Sequence, residues 1–243
     1  MPQGAITTSW DDGAPQDLDL ADLLKKYALP GTFYTPRCNT ERTVLNESQI
    51  RQLATEFEVG AHTLHHVRLD RVSKHDAETE VRGSKEWLAD VTGHDIRSFC
   101  YPGGHVTKEA ACSVRESGFR FARTTHLLQT RIPNLLSAPT SLQLYPHLRL
   151  TYFRNLTRRT NLNGIARYVL SLHLQTDLMK LTELLLDEIS TNGGMFHLWG
   201  HSWEIEEKGL WQMTENVMRM LADRKDLHKL TNGDLISNHL IWG

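Results

Sequence analysis

The chain has 243 residues, with 27 basic residues against 29 acidic ones and a formal net charge of −2. This near balance argues against the basic surface typical of nucleic-acid-binding proteins. No apolar run approaches the roughly 18 residues that a membrane-spanning helix needs. The length predicts one domain over residues 1–243, large enough to bury a substantial core.

The N-terminus and the cysteines give a first indication of the cellular compartment. Residues 5–8 already form a predicted strand, without the basic start and apolar segment of a secretory signal. We therefore expect a cytoplasmic protein. Cys38, Cys100 and Cys112 are too few and too irregularly spaced for a disulfide framework or a zinc knuckle, so we expect buried free thiols.

Strands and helices alternate along the chain. The strands are predicted over residues 5–8, 32–35, 57–61, 96–101, 119–123 and 195–199, with another inside 135–144. The helices are predicted over residues 16–27, 73–93, 107–116, 176–190 and 210–221, and one more begins at a capping box formed by Asn46 and Gln49. Residues 126–163 are harder to interpret because three prolines interrupt them. The alternation predicts an α/β fold with a parallel sheet, either a barrel or an open doubly wound sheet.

Two adjacent carboxylates follow the first predicted strand, in the run Thr8-Ser9-Trp10-Asp11-Asp12-Gly13. Neighbouring strand residues point to opposite faces, and Gly13 permits a turn directly after them. Asp11 and Asp12 are therefore expected to play different roles, one as a metal ligand and the other as a base. A simple Asp-Asp-Gly surface turn is the alternative.

A histidine pair follows the third predicted strand, in the run His62-Thr63-Leu64-His65-His66. On a helical turn, His62 and His66 would lie on one face and could share one ion. Two histidines and one carboxylate are a common ligand set for catalytic zinc. His65 is a rival ligand, and an exposed or structurally satisfied histidine cluster is the alternative.

A third run, Met195 to Glu204, predicts a late buried strand that ends in a histidine. The order and spacing of the motifs, over residues 8 to 201, resemble the polysaccharide deacetylase (NodB-homology) family of metal-dependent carbohydrate esterases. The segments that carry the resemblance are Thr8-Ser9-Trp10-Asp11-Asp12-Gly13, His62-Thr63-Leu64-His65-His66, Tyr101-Pro102-Gly103-Gly104 and Leu198-Trp199-Gly200-His201.

The resemblance implies a distorted (β/α)7 barrel, whose site lies at the C-terminal ends of the strands. It implies that a divalent metal ion is held by Asp12, His62 and His66. Zinc is the expected metal, with cobalt or nickel as alternatives. Asp11 is then expected to act as the general base.

The late histidine of the family protonates the leaving amine, and the resemblance assigns this role to His201. His197 competes for it, because an even separation on a strand keeps both side chains on one face. We favour His201 because it lies at the end of the strand and is followed by a predicted loop.

The resemblance also implies that the loop Tyr101-Pro102-Gly103-Gly104 forms a wall of the substrate pocket. A backbone N–H of Gly103 or Tyr101 is expected to stabilise the oxyanion. Trp203, Tyr101 and Trp10 are candidates to stack on a sugar face, and packing at the barrel rim is the alternative. The predicted substrate-binding residues are Tyr101, Pro102, Gly103 and Trp203.

The chain departs from the family pattern at two places. The family usually carries an arginine two residues before the loop proline, where this chain has Cys100. Arg123, at the end of the next predicted strand, could orient the base Asp11 instead. The aspartate motif that orients the late histidine is missing near residues 120–127, and Glu204 could replace it.

The predicted function is a metal-dependent deacetylase acting on an N-acetylated or O-acetylated carbohydrate. An amidase acting on a small non-sugar amide is an alternative enzyme. A non-catalytic carbohydrate-binding relative is the alternative outside catalysis. The expected partner is thus a carbohydrate or small amide substrate, with no nucleic acid and no membrane span.

One cluster of basic residues lies outside these motifs. We interpret it as a solvated face, with capture of an anionic substrate as the alternative. Its members are Arg149, Arg154, Arg158, Arg159 and Arg167.

Overall fold

A parallel β-sheet forms the centre of the protein, whose computed structural model describes residues 4–158 and 161–237. All of its strand pairs are parallel. The strands are β1 (Gly4–Asp11), β2 (Thr32–Thr35), β3 (Glu58–Ala61), β4 (Ser98–Cys100), β5 (Phe121–Arg123), β6 (Leu142–Gln143), β7 (Gly194–Gly200) and β8 (His228–Leu230).

Helices connect most of these strands. In chain order they are α1 (Asp17–Lys26), α2 (Glu47–Ala54), α3 (Lys74–Thr92), α4 (Lys108–Glu116), α5 (Arg149–Arg158), α6 (Leu162–Leu170), α7 (Leu178–Asn192), α8 (Ser202–Glu207) and α9 (Trp211–Asp223). Within the described residues, no helix combines the length and apolarity that crossing a bilayer requires.

The sheet runs in the order β5-β4-β3-β2-β1-β7-β6 and curls. Residues 9–11 of β1 pair with β2, whereas residues 5–7 pair with β8 on the same edge. At the far end of the sheet, Arg123 pairs with Ala138. The same segment continues into β6, which pairs with β7. Residues 138–143 therefore join the two ends of the sheet, and the predicted α/β fold with a distorted (β/α)7 barrel is confirmed.

Helix ends follow the local chemistry of the sequence. The Asn46 side chain accepts from the Gln49 N–H and the Gln49 side chain accepts from the Asn46 N–H, which is the predicted capping box before α2. Ser73 is the N-cap of α3, since its side chain accepts from the Asp76 N–H. Gly93 ends α3 with φ 72°, a left-handed conformation that glycine adopts readily.

The structure differs from the sequence prediction in the second half of the chain. Helix α5 was not predicted, because Pro133, Pro139 and Pro146 suggested irregular chain; all three lie before its first residue. The strand expected within 135–144 is reduced to the two residues of β6. A helix, α8, replaces the loop expected after His201. Strand β8 was not predicted either.

The cysteines are free, as predicted, but the expectation that all are buried was wrong. Cys100 is buried at the end of β4, whereas Cys38 and Cys112 are exposed. Cys38 lies in the chain between β2 and α2, and Cys112 lies on a helix where its Sγ is 3.2 Å from Glu116 Oε1. Their positions at the surface leave only Cys100 near the barrel interior.

The barrel encloses polar side chains as well as apolar ones. Arg123 and His197 have no exposed surface, and Asp11 is 3% exposed. Burying such groups is costly unless each finds a partner. The partners of these side chains define the candidate site.

Candidate metal centre and active site

Asp11 and Asp12 diverge because the backbone turns between them. Asp11 is the last residue of β1, and Asp12 has φ 77° and Gly13 has φ 60°. A Cβ on Gly13 would lie 2.7 Å from Thr35 Cγ2 at the end of β2, so this position has no room for a side chain. The turn directs the two carboxylates to different partners.

Asp12 meets the two predicted histidines. Its Oδ1 lies 3.0 Å from His66 Nε2 and 3.5 Å from His62 Nε2. The three side chains offer donor atoms that all lie within 4.8 Å of one another. His65 points elsewhere, because its Nδ1 lies 2.6 Å from Glu80 Oε1 and its side chain is 56% exposed.

The histidine pair does not lie on a helical turn, contrary to the prediction. Residues 62–66 form no helix, and Thr63 and His66 have φ values of 64° and 53°. Non-glycine residues rarely adopt this left-handed conformation, and such strain is concentrated at functional sites. The left-handed backbone at these two residues brings the His62 and His66 rings to a centroid distance of 4.9 Å, although the segment is not helical.

The groups around this trio fit a divalent cation. His62 Nδ1 lies 2.8 Å from the Cys100 carbonyl oxygen, which accepts its N–H and leaves Nε2 as the electron-pair donor. Burial favours a raised pKa for Asp12, but its close contacts with His62 and His66 and the charge of His201 outweigh burial and hold the pKa far below its usual range. An ionised carboxylate with two imidazoles is a donor set that suits zinc.

Asp11 is held on the other side by Arg123. The guanidinium Nη2 donates to Asp11 Oδ1, and Nη1 donates to Thr124 O at 3.1 Å. The Cys100 thiol lies 3.6 Å from Asp11 Oδ2 and donates to it. Arg123 also lies 5.0 Å from the Trp199 ring centroid. The guanidinium thus reaches Asp11 from β5, while Cys100 occupies the position before the loop.

A second trio, formed by Asp11, His62 and Cys100, also has donor atoms within 4.8 Å of one another. Burial raises the pKa of the Cys100 thiol well above its usual range. A cysteine must lose its proton to bind a metal, so this shift disfavours the second trio. His62 Nδ1 is already bonded to the Cys100 carbonyl. The first trio is the better metal site.

The two late histidines lie in different surroundings. His201 Nε2 is 3.9 Å from Asp12 Oδ2 and its Nδ1 is 3.4 Å from Glu204 Oε2. His197 is fully buried, with Thr7 Oγ1 at 2.7 Å and Ser9 Oγ at 2.8 Å from its two ring nitrogens. Burial and the charge of Arg123 lower the pKa of His197 well below its usual range. Only His201 therefore faces the metal-ligand candidates.

Comparison with known proteins gives the family of the chain. The polysaccharide deacetylase family model matches residues 1–122. The chain belongs to the polysaccharide deacetylase family. The match covers the Asp-Asp turn, the histidine pair and the Tyr-Pro-Gly loop; His201 lies beyond it. A search of curated proteins found no match.

Solved structures of deacetylases share the fold. A polysaccharide deacetylase from Bacillus cereus is 25% identical with a TM-score of 0.50; the match covers 56% of this chain and 46% of that one. A putative polysaccharide deacetylase from Mycobacterium smegmatis is 13% identical with a TM-score of 0.67, over 98% of this chain and 90% of that one. A family 4 acetyl xylan esterase from Clostridium thermocellum, solved with a cobalt ion, is 13% identical with a TM-score of 0.58, over 96% and 90%.

The first two residues of the Tyr-Pro-Gly loop differ from their predicted roles. The Tyr101 ring has no exposed surface, and its hydroxyl donates to Leu136 O at 2.9 Å. Its backbone N–H donates to Arg123 O at 3.2 Å. Tyr101 therefore supplies neither a stacking ring nor a free N–H, contrary to the prediction. Pro102 is buried as well, and Gly103 is the exposed residue of the loop.

Trp203 lies at the metal-ligand candidates, and Trp10 does not. Trp203 Nε1 donates to Asp12 Oδ2 at 2.9 Å. The Arg42 guanidinium carbon stacks 3.3 Å from the Trp203 ring centroid, and the Arg42 Nη1 binds Glu207 at 2.8 Å. Trp10 is fully buried in the apolar core, so its proposed stacking on a sugar is excluded by its position.

The structural role of Asp17 was not predicted from the sequence. Asp17 is fully buried in the first turn of α1, and Ser202 Oγ donates to its Oδ1 at 2.5 Å. Burial raises the pKa of Asp17 well above its usual range. This contact fixes the start of α8, which carries Trp203, to α1. An acidic residue at a helix start normally indicates a solvated first turn, so the sequence held no signal for this role.

Proposed function

We propose that the protein is a metal-dependent hydrolase that removes an acetyl group from an N-acetylated carbohydrate. One observation carries the proposal: Asp12, His62 and His66 converge beside an aspartate that is held by a buried arginine. Hydrolysis by an activated water requires residues that can hold a metal ion and a separately oriented carboxylate that can act as base. The family membership supports deacetylation as the reaction.

Asp12, His62 and His66 would hold the divalent ion, with zinc as the expected metal. When bound, such an ion lowers the pKa of a coordinated water towards about 7 and polarises a carbonyl oxygen. A fold neighbour was solved with cobalt, so cobalt belongs beside zinc and nickel in reconstitution experiments. His62 is kept in position by the Cys100 carbonyl.

Asp11 would act as the general base, taking a proton from the water that attacks the acetyl carbonyl. Arg123 would orient Asp11, because the guanidinium donates to one oxygen of the carboxylate. The Gly103 N–H, in the exposed part of its loop, is our candidate to donate to the developing oxyanion.

His201 would donate the proton that the leaving amine needs. Burial lowers the pKa of His201, but its contact with Glu204 and the charges of Asp12 and Asp11 raise it above the usual 6.5. A raised pKa favours the protonated imidazole, which is the form that a general acid requires. Trp203 would border the acyl group, since its indole N–H donates to Asp12.

The proposal is tested by measuring metal content and acetate release together, with N-acetylglucosamine oligomers as substrate. We expect Asp12→Ala to lose both, because it removes a ligand. We expect Asp11→Asn to keep the metal and lose acetate release, because it removes only the base. Asp19→Asn, an exposed carboxylate on α1, is the matched control and should behave as wild type. Loss of metal in Asp11→Asn, or full activity in either site variant, would refute these roles.

A small non-sugar amide is the second candidate substrate. It is favoured by Cys100, which stands where the family usually has an arginine, and by the Arg42–Trp203 stack beside Asp12. The same assay with short aliphatic acetamides distinguishes the two. If the enzyme hydrolyses the acetamides but not the oligomers, the proposed substrate becomes a small amide. The proposed catalytic residues stay the same.

A further inference from the structure

A cavity of about 410 Å³ lies beside the loop that carries Gly103. It opens at the C-terminal end of the sheet, because Gly103 follows β4 and Thr125 follows β5. We propose that this cavity binds an anionic group, a carboxylate or a phosphate, carried by the acetylated substrate. The inference rests on the proposed function, since the cavity and the candidate active site share the Gly103 loop. Its walls include Gly103, Thr125, Thr151, Arg154, Asn155 and Arg158.

One face of α5 supplies the positive charge. Thr151, Arg154, Asn155 and Arg158 are spaced at i, i+3, i+4 and i+7, so they share a face of the helix. Asn155 anchors this face, because its Nδ2 donates to Thr125 O at 3.1 Å and its Oδ1 accepts from the Leu127 N–H at 3.2 Å. The anchor fixes the helix against the chain that follows β5 and places both arginines at the cavity.

The charges of the cavity are not balanced. No aspartate or glutamate lines it, and within residues 4–158 and 161–237 neither Arg154 nor Arg158 forms an ion pair. The other described arginines of α5 and α6 have partners: Arg167 Nη2 binds Glu188 at 2.5 Å, and Arg149 Nε donates to Leu174 O at 3.1 Å. Like charges at i and i+4 on a helix repel each other, and a bound anion would remove that repulsion.

This contrast divides the basic cluster identified in the sequence. Arg149 and Arg167 bind neighbouring parts of the chain, whereas Arg154 and Arg158 line the cavity. Arg159 lies outside the described residues. Two guanidinium forks can bind carboxylate or phosphate oxygens in a bidentate manner, which a solvated face does not require. The cavity therefore favours anion capture for two members of the cluster.

The proposal is tested with three substrates that share the acetamido group. N-acetylglucosamine is neutral, N-acetylmuramic acid carries a carboxylate and N-acetylglucosamine 6-phosphate carries a phosphate. The test variant is Arg154→Gln/Arg158→Gln. The control is Lys74→Gln/Arg82→Gln on α3, which removes the same charge from exposed positions away from the cavity. Arg154→Lys/Arg158→Lys keeps the charge without the guanidinium forks.

We expect the wild type to prefer at least one anionic substrate over the neutral one. The glutamine variant should raise KM for that substrate by about tenfold or more with kcat little changed, because charge-assisted hydrogen bonds are lost. The neutral substrate and the control variant should be unaffected, and the lysine variant should recover part of the affinity. The anionic substrate whose KM rises in the glutamine variant identifies the bound group as a carboxylate or a phosphate. Equal use of all three substrates by wild type, or equal effects in test and control variants, would overturn the proposal.

Calorimetric binding of N-acetylglucosamine 6-phosphate and N-acetylmuramic acid to the same variants separates this inference from the proposed function. Binding that is weakened in Arg154→Gln/Arg158→Gln but not in the control supports the anion site, even if no acetate is released and the deacetylase proposal fails. Acetate release without any effect of the arginines on binding or KM keeps the deacetylase and overturns the anion site. Failure of both anions to bind wild type also overturns it.

Discussion

Two side chains of the candidate site are held by residues distant from them in the sequence. Asp11 is bound by Arg123, and His62 is bound by the carbonyl of Cys100. His201 is an exception, since Glu204 lies only three residues away. Such contacts fix the orientation of groups that must meet a substrate with little freedom.

Replacing Arg123 should impair the orientation of Asp11 without impairing metal binding. We expect Arg123→Gln to lower kcat by about 100-fold or more, because Asp11 loses its oriented partner, while the metal content stays near wild type. The variant should also lose about 3–5 kcal/mol of stability, since Asp11 is left buried and unpaired. The measurements are acetate release, bound metal and urea unfolding.

Two further variants make the Arg123 result interpretable. Arg123→Lys retains the positive charge and should fold more stably than Arg123→Gln, with intermediate activity. Arg120→Gln removes an exposed arginine beside the same strand and should behave as wild type. Activity of a folded Arg123→Gln enzyme near the wild-type level would show that Arg123 does not position the base.

Replacing Glu204 should shift the pH dependence of the reaction. Burial lowers the pKa of His201, and Glu204 is the first of the groups that raise it. Because His201 must be protonated to act as an acid, activity should fall as the pH rises through its pKa. Removing the negative charge lowers that pKa, so Glu204→Gln should move the alkaline limb of kcat/KM to lower pH. Glu206→Gln, in the same helix, is the control, and an unmoved limb in Glu204→Gln would contradict this role for Glu204.

At the scale of the elements, the site depends on turns that follow parallel strands. Asp12 and Gly13 follow β1, the histidine segment follows β3 and the loop with Gly104 follows β4. Several of these residues have left-handed backbone conformations, which local sequence rules rarely assign to non-glycine residues. The strands bring the site residues to one end of the sheet, and the turns set the directions of their side chains.

Gly104 allows close contact between the loops after β4 and β5. It has φ 69°, and a Cβ there would lie 2.7 Å from the Thr125 backbone nitrogen. Gly93 has nearly the same φ, 72°, but no atom lies within 4 Å of its Cβ position. Gly93→Ala should therefore lose only about 1–2 kcal/mol from backbone strain. Gly104→Ala should lose about 1–3 kcal/mol more, from the clash, and should reduce acetate release.

The comparison of the two alanine variants uses urea unfolding. A lower transition midpoint for Gly104→Ala than for Gly93→Ala attributes the difference to the Thr125 contact, since the backbone cost is shared. Equal midpoints would show that the loops move apart at no cost, and that Gly104 is not needed to position the Gly103 loop.

The positions of the strands that carry the site could be predicted from the sequence. The turn conformations and side-chain contacts within the site could be predicted less well. The capping box at Asn46 and the strand 32–35 follow local rules and were correct. The curvature of the histidine segment was not predictable, because Thr63 and His66 adopt conformations that tertiary contacts impose. The burial of Tyr101 was missed because a residue beside a Pro-Gly turn normally reaches solvent.

At the scale of the whole molecule, Arg224 joins the last helix and strand to α7. Its Nη1 donates to Asp187 at 2.7 Å and its Nε donates to Asp226 at 3.2 Å. It follows α9, and Asp226 precedes β8, which pairs with β1. The strand that ends at Asp11 is therefore supported at its start by the C-terminal part of the fold.

Arg224 should stabilise the protein in a pH-dependent way. Its hydrogen bond, followed by that of Ser190, lowers the pKa of Asp226 from 3.8 to about 2. A lowered pKa in the folded state stabilises the protein above the unfolded value and loses that effect as the pH falls towards about 2. Arg224→Gln should lower the unfolding free energy by at most about 1 kcal/mol at neutral pH, because solvent screens the half-exposed pair.

The difference between wild type and Arg224→Gln should shrink between about pH 4 and pH 2, as Asp226 becomes protonated. Urea unfolding at several pH values measures it, with Arg219→Gln on the exposed side of α9 as the control. A difference that stays constant over this range would show that packing, and not the charge of Asp226, accounts for the effect.

The position of a bound metal tests the proposed site most directly. Crystals of the protein loaded with zinc, with cobalt and nickel as further metals, would show it as an anomalous scattering peak. We expect one peak bonded to Asp12, His62 Nε2 and His66 Nε2 at about 2.0–2.2 Å, and none in Asp12→Ala. A peak held instead by Asp11, His62 and Cys100, or no peak with any of the three metals, would contradict the proposed metal site.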